Sequence, residues 1–251
     1  MSTQLHQVLA AEKSSINTSK AILEETARLF RAAKTHFDGM EVKTTTNFET
    51  DGAKDEVEAT HPITSVESRV AYTMQALEDP LDIVLTKDET NSGGKAKAEL
   101  KVGEHSFGEF SAIALISLGK YLSELRKVLL EAPTMDQHEH SWTPNDEIFK
   151  GCYESERISK IRTKTRDKAV KVPGFPDDPK SPVYTVKEDY HYGDIVTRHF
   201  TGRWTSVRKH QVLERLSQMI DAVRKATGEA NKTEIANIKK AREVFGFILN
   251  K

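Results

Sequence analysis

The chain alternates between long segments in which apolar residues recur at helical spacing and shorter segments in which apolar and polar residues alternate. In residues 3–37 an apolar residue recurs every seven positions, which predicts one long helix with a narrow apolar stripe. Such a stripe fits one partner helix, either in the same chain or in another subunit. The stripe consists of Leu9, Ile16, Leu23, Phe30 and Phe37. Apolar residues three or four positions apart predict three further helices at 65–78, 110–131 and 206–226.

Strands are predicted where the apolar period falls to two. Residues 81–86 and 96–102 flank a turn-rich segment and predict a long hairpin. Two more strands are predicted at 183–190 and 194–204, after a connection rich in Pro and Gly. Together these elements predict an α+β fold in which long helices pack on a small, mostly antiparallel sheet.

The remaining segments define the expected domain organisation. Residues 40–62 are rich in Thr, Asp, Glu and Gly and have no sustained period, so they predict a loop inserted into the fold. We therefore expect residues 1–231 to form a single α+β domain with a Thr-rich insertion at about 40–62. Residues 232–251 then form an apolar C-terminal helical extension that packs on its own body or on a neighbour.

Composition narrows the range of functions. The 37 Lys and Arg residues nearly balance the 38 Asp and Glu residues, giving a net charge of −1. This balance excludes a generally basic coat protein for nucleic acid, so any anion site must be local. Cys152 is the only cysteine, which excludes an intrachain disulfide and a cysteine-rich zinc site. The chain has neither an apolar signal core nor a membrane-spanning run, so a cytoplasmic protein is expected.

The most informative local pattern lies in the segment from Ser159 to Lys168. Cations occupy every even position, so an extended strand would place all five on one face, whereas a helix would scatter them. Like charges about 6.6 Å apart repel one another unless solvent, acidic neighbours or an anionic ligand face them. These cations are Lys160, Arg162, Lys164, Arg166 and Lys168.

Two interpretations of this segment remain open. Alternating lysines also protect an edge strand against aggregation, and the row would then be solvated or paired with the protein's own carboxylates. Alternatively, the segment recognises phosphate, with Arg162 and Arg166 as bidentate donors and the three lysines as point charges.

A second cluster, from Arg198 to Trp204, mixes cations with aromatic residues. If this strand lies near the basic one, Arg198, Phe200 and Trp204 share a face and could contact a base or sugar. The alternative is that Phe200 and Trp204 are core residues of the sheet.

Other candidate chemistry is sparse. His138 and His140 have the spacing of metal ligands, but no third ligand is evident, so no metal site is predicted. The sequence has no nucleophile elbow, zinc-protease helix or Walker motif, so we predict no catalytic residues and no cofactor. A hydrolase that uses His138, His140 or His191 remains an alternative.

Several short motifs occur along the chain: the start at 5–13, Tyr121-Leu122-x-x-Leu125-Arg126, Arg162-Thr163-Lys164, 213–216, 222–226 and Glu229-Ala230-Asn231. Together they resemble an uncharacterised family of bacterial and bacteriophage proteins classed as a domain of unknown function. The resemblance covers about Leu5 to Asn231 and implies a small cytoplasmic protein often encoded by phages. The family has no assigned catalytic residues, so the resemblance transfers none.

These observations lead to one expected function and two alternatives. We expect a non-enzymatic, phage-type homo-oligomer that binds a phosphate-bearing ligand, a nucleotide or cyclic nucleotide, and sequesters a host immune signal. Long nucleic acid is a second class of ligand for the same cations. The alternatives are an oligomeric structural or host-interaction protein without a small ligand, and a nucleotide hydrolase.

Overall fold

The computed structural model describes residues 5–47, 55–94, 96–171 and 183–232. Of the C-terminal extension predicted at 232–251, residues 233–251 lie outside the described residues. The helices are α1 (Leu5–Arg31), α2 (Ala33–Phe37), α3 (Val66–Ser92), α4 (Ala112–Leu130) and α5 (Ser206–Ala230). The strands are β1 (Asp38–Thr46), β2 (Glu56–Thr60), β3 (Lys97–Val102), β4 (His105–Ser111), β5 (Thr143–Pro144), β6 (Tyr153–Glu154), β7 (Ile158–Lys171) and β8 (Val183–Thr201).

The fold is α+β, as predicted, and the pairings between these strands are all antiparallel. The larger sheet has the order β2-β1-β8-β6-β5, and β7 pairs with β8 beside β6. A separate hairpin consists of β3 and β4. Within the described part of the chain, no helix is both long enough and apolar enough to cross a membrane.

Serine and threonine side chains fix where three of the helices begin. The Ser65 hydroxyl accepts a hydrogen bond from the backbone N–H of Ser68 at 3.1 Å, so Ser65 caps α3. Ser111 and Thr205 make the equivalent bonds at the starts of α4 and α5. Each of these bonds satisfies one of the N–H groups that the first helical turn leaves without a partner.

The residues of the chain fall into two compact units, each defined by the contacts within it. The first contains the described parts of Met1–Ala21, Ala76–Lys127 and Val212–Lys251. Its core joins the β3–β4 hairpin to α4 and α5 through Leu100, Leu115 and Val223, which are almost fully buried.

The second unit contains Ile22–Gln75 and Val128–Gln211 and holds the larger sheet. Its core includes Phe37, Val66 and Cys152, each with no exposed surface. Phe30 packs against Phe37 with ring centroids 6.0 Å apart. The apolar stripe predicted for the first helix is therefore buried at these C-terminal positions.

Four sequence predictions about elements were wrong. The single helix predicted at 3–37 is two helices, α1 and α2, which Ala32 separates. The segment expected to be a loop at 40–62 contributes β1 and β2 to the larger sheet. Residues 81–86, predicted to be a strand, belong to α3, which continues through Pro80. The partner of β3 is consequently β4. The strands predicted at 183–190 and 194–204 are one strand, β8, which ends at Thr201.

Candidate functional site

The basic segment is extended, as predicted, and forms most of β7. Its pairing with β8 runs from Ile158 opposite Thr197 to Lys171 opposite Val183. The even-numbered side chains of β7 therefore share one face of the strand. We call Lys160, Arg162, Lys164, Arg166 and Lys168 the cation row.

The outer half of this strand pair is a two-stranded arm. The pairing of β1 with β8 ends where Thr46 meets Gly193. From Thr163 opposite His191 outwards, the described residues of β7 and β8 pair only with each other. Most side chains in this outer part are exposed. The arm therefore presents the outer cation row on an open surface.

A bulge in β8 brings tyrosines onto the face of the cation row. Arg162 pairs with Gly193 and Thr163 with His191, so Tyr192 has no partner of its own in β7. A bulge changes which residues of its strand lie opposite the partner. Beyond it, Lys164 lies opposite Tyr190. Directly opposed residues of an antiparallel pair share a face, so Tyr190 joins the cation row.

Two members of the cation row lie over Tyr192. The Arg162 guanidinium carbon is 5.3 Å from the ring centroid, and the Lys164 ammonium nitrogen is 3.6 Å from it. Tyr192 is buried, with 6% of its surface exposed. A cation over an aromatic face is attracted by the ring's quadrupole, which offsets part of the repulsion within the row. The aromatic ring therefore helps to hold both cations in place.

The outer end of the row is paired with a carboxylate of the same face. Arg166 donates to Glu188 at 2.9 Å and 3.1 Å, and Lys168 donates to its other oxygen at 2.9 Å. Lys168 and then Arg166 hold the pKa of Glu188 below its ordinary value. Because both cations are about half exposed, these ion pairs are open to solvent and salt.

The inner end of the row has a different environment. Lys160 is exposed and Arg162 half-buried. Within the described ranges, neither side chain forms an ion pair with a carboxylate. The row therefore combines an inner part with uncompensated charge and an outer part compensated by Glu188.

The second predicted cluster is built into the sheet. Arg198 donates to Glu41 at 2.8 Å, and a second guanidinium nitrogen lies 3.6 Å from Glu154. Phe200 and Trp204 are only 3% and 4% exposed. Both aromatic residues therefore belong to the core, which was the alternative to base contact. The cluster offers no open surface for a base.

The histidines considered for metal binding or hydrolysis have other neighbours. His140 stacks on His199 with ring centroids 4.6 Å apart, and it meets Trp142 edge to face. His191 lies 2.8 Å from Asp194. In the part of the chain that the structure covers, His, Cys, Asp and Glu form no group of three placed to hold a metal ion.

Sequence reasoning missed the carboxylate of the site. Glu188 lies opposite Arg166, a position that depends on the register between β7 and β8. Spacing within one strand does not reveal this register, because odd positions of β8 carry charges as well, at Lys187 and Asp189.

Comparison with known proteins identifies a family and no characterised relative. Neither the curated proteins nor the solved structures contain a match for this chain. The model of one family, described as Family of unknown function (DUF7873), matches residues 2–251. Because this match spans nearly the whole sequence, the chain belongs to that family, in agreement with the resemblance seen in its motifs.

Proposed function

We propose that this protein binds a phosphate-bearing ligand, a nucleotide or cyclic nucleotide among the candidates, through the cation row and without converting it. The observation that supports this proposal is the alignment of five cations on one face of an extended strand in a chain of net charge −1. Such a row is electrostatically costly in isolation and attracts anions from solution.

The inner cations carry most of the proposed role. Lys160 and Arg162 have no carboxylate partner within the described ranges, and the aromatic ring beneath Arg162 leaves its charge intact. The guanidinium of Arg162 can donate two parallel hydrogen bonds to a phosphate, and a lysine supplies a compact charge beside it. Arg198, Phe200 and Trp204 are left out of the proposed site because they are packed within the sheet.

The proposal also covers the biological role of binding and the association of subunits. A phage-type protein that holds a nucleotide in the cytoplasm without hydrolysing it would withhold that nucleotide from the host. We therefore retain sequestration of a host immune signal as the proposed role, with self-association through helical surfaces. Native mass spectrometry of the purified protein tests both features, since it reports the subunit number and any retained ligand together.

A charge-reversal experiment tests the binding itself. Replacing Lys160→Glu together with Arg162→Glu should weaken binding of a fluorescent adenosine triphosphate or cyclic dinucleotide at least about tenfold, because two phosphate contacts are lost. Lys187→Glu is a control for charge reversal, since Lys187 is exposed on the opposite face of the β7–β8 strand pair. It should change the affinity much less.

The melting temperature and the mass of the recovered nucleotide complete this test. The double variant should melt close to the parent protein, because Lys160 is exposed and Arg162 loses only a cation–π contact. The recovered nucleotide should keep its mass, whereas a hydrolase would release a lighter product. Equal losses in the double variant and in Lys187→Glu would contradict the proposal.

A further inference from the structure

We infer that the preferred ligand of the cation row is a single strand of nucleic acid, whose backbone follows β7 and whose bases face β8. This inference rests on the proposed function and specifies its ligand. It depends on the juxtaposition of two rows along the arm, one of cations on β7 and one containing tyrosines on β8.

The length of the cation row favours a ligand longer than one nucleotide. Lys160 and Lys168 are eight residues apart on an extended strand, a separation of about 26 Å. The cavities beside α4 and α5 and the cavity beside His140 and His199 are lined by none of the five cations. A small nucleotide would contact only part of such an open row, whereas a strand of several nucleotides can follow its whole length.

The tyrosines lie beside the cations on the same face. Lys164 pairs with Tyr190, and Val170 pairs with Tyr184 further along the arm. Tyr184 is 46% exposed. Proteins that bind single strands combine a positive track for the backbone with aromatic side chains on which bases stack. The Arg166 guanidinium lies over the Tyr190 ring, with its carbon 5.2 Å from the ring centroid, so at this position a base would stack on the guanidinium and not on the tyrosine.

The position of Glu188 also distinguishes the two sides of the face. It belongs to the β8 row, where the bases and not the phosphates of the ligand would lie. A duplex buries the flat faces of its bases in its own stack, so an exposed tyrosine would gain little from it. These two features favour a single strand over a duplex.

Binding of labelled DNA measures this preference. A single-stranded oligothymidine of about ten nucleotides should bind at least about tenfold more tightly than thymidine triphosphate, and more tightly than a duplex of the same length. Fluorescence anisotropy at fixed salt reports all three affinities. Equal affinity for triphosphate and oligomer, or a preference for the duplex, overturns this inference but leaves the proposed function standing. Absence of binding to all three and to the cyclic dinucleotide overturns both.

A tyrosine variant tests the stacking row separately from charge. Tyr184→Ala should weaken oligothymidine binding about fivefold or more, since each base stacked on an aromatic side chain contributes about 1–3 kcal/mol. Tyr184→Phe should retain the affinity because it keeps the ring. Val183→Ala is the control on the opposite face, at a residue that is 57% exposed. A loss in Tyr184→Phe equal to that in Tyr184→Ala, or no loss in either, would contradict the stacking row.

Discussion

At the scale of single residues, burial decides the chemistry of Cys152. The side chain has no exposed surface, and burial raises the pKa of its thiol to about 11 from an ordinary value of 9.0. A thiol reacts as its thiolate, so this pKa lowers the reactive fraction at neutral pH about 100-fold, before access is considered. We expect native protein to react with Ellman's reagent much more slowly than denatured protein. Rapid reaction of the native protein would show that this part of the core opens readily.

The same scale shows which features of the site could be predicted. Parity along an extended strand is a local property, so the shared face of Lys160 to Lys168 followed directly from their spacing. The partners of those residues depend on strand register and on the bulge at Tyr192. The contact between Glu188 and Arg166 was therefore beyond sequence reasoning.

At the scale of elements, two glycines with contrasting surroundings test the assignment of α5 and the packing next to the end of β8. Gly228 lies inside α5, and a Cβ built there has no neighbour within 4 Å. Gly228→Ala should therefore stabilise the protein by about 0.5–1 kcal/mol, because Ala loses less backbone entropy in a helix. Gly202→Ala should destabilise it, because its Cβ would lie 2.6 Å from the Thr64 carbonyl oxygen. Urea denaturation followed by circular dichroism measures both, and a destabilising Gly228→Ala would contradict the helical assignment.

Errors in predicting the elements have identifiable physical causes. A run as short as Leu81–Thr86 has too few residues to distinguish a strand from a helix by period. Leu81 and Leu85 pack against the buried cluster that contains Leu115. This burial offsets the hydrogen bond that Pro80 removes from α3, a loss of about 3 kcal/mol in an isolated helix. Tertiary packing, which a local pattern cannot reveal, therefore decides the outcome.

Strands β1 and β2 were missed for a related reason. Their residues are mostly Thr, Glu and Lys, with few apolar positions, because these strands are partly or fully exposed. A strand with so little buried surface has no apolar alternation to detect. Pairing with the long β8 strand stabilises β1, and that pairing joins residues more than 140 positions apart in the sequence.

At the scale of the whole molecule, net charge and local charge have to be separated. The total of −1 excluded a generally basic protein, yet one strand, β7, carries five cations aligned on one face. Total composition cannot reveal such a face, since acidic residues elsewhere cancel it in the sum. Attraction of a ligand at short range depends on the local row, because physiological salt screens charges beyond about 8 Å.

Glu188 sets how much of this local charge a ligand can use. Glu188→Gln keeps the shape of the side chain but removes the charge that pairs with Arg166 and Lys168. If both cations then contact phosphates, the salt dependence of oligothymidine binding should steepen by about 1.4 in a log–log plot, and the affinity at low salt should rise. Titrations at several salt concentrations by fluorescence anisotropy measure this slope.

Acid should have the same effect as this substitution. The pKa of Glu188 is lowered by its two cations, so the carboxylate stays charged at neutral pH and is protonated only as the pH falls through that lowered value. Binding should therefore strengthen on acidification in the parent protein and not in Glu188→Gln. Asp189→Asn is the matched control, because Asp189 accepts a hydrogen bond from Thr165 at 2.6 Å on the opposite face of the arm. An equal change of slope in Asp189→Asn would mean that total charge, and not the release of Arg166 and Lys168, governs binding.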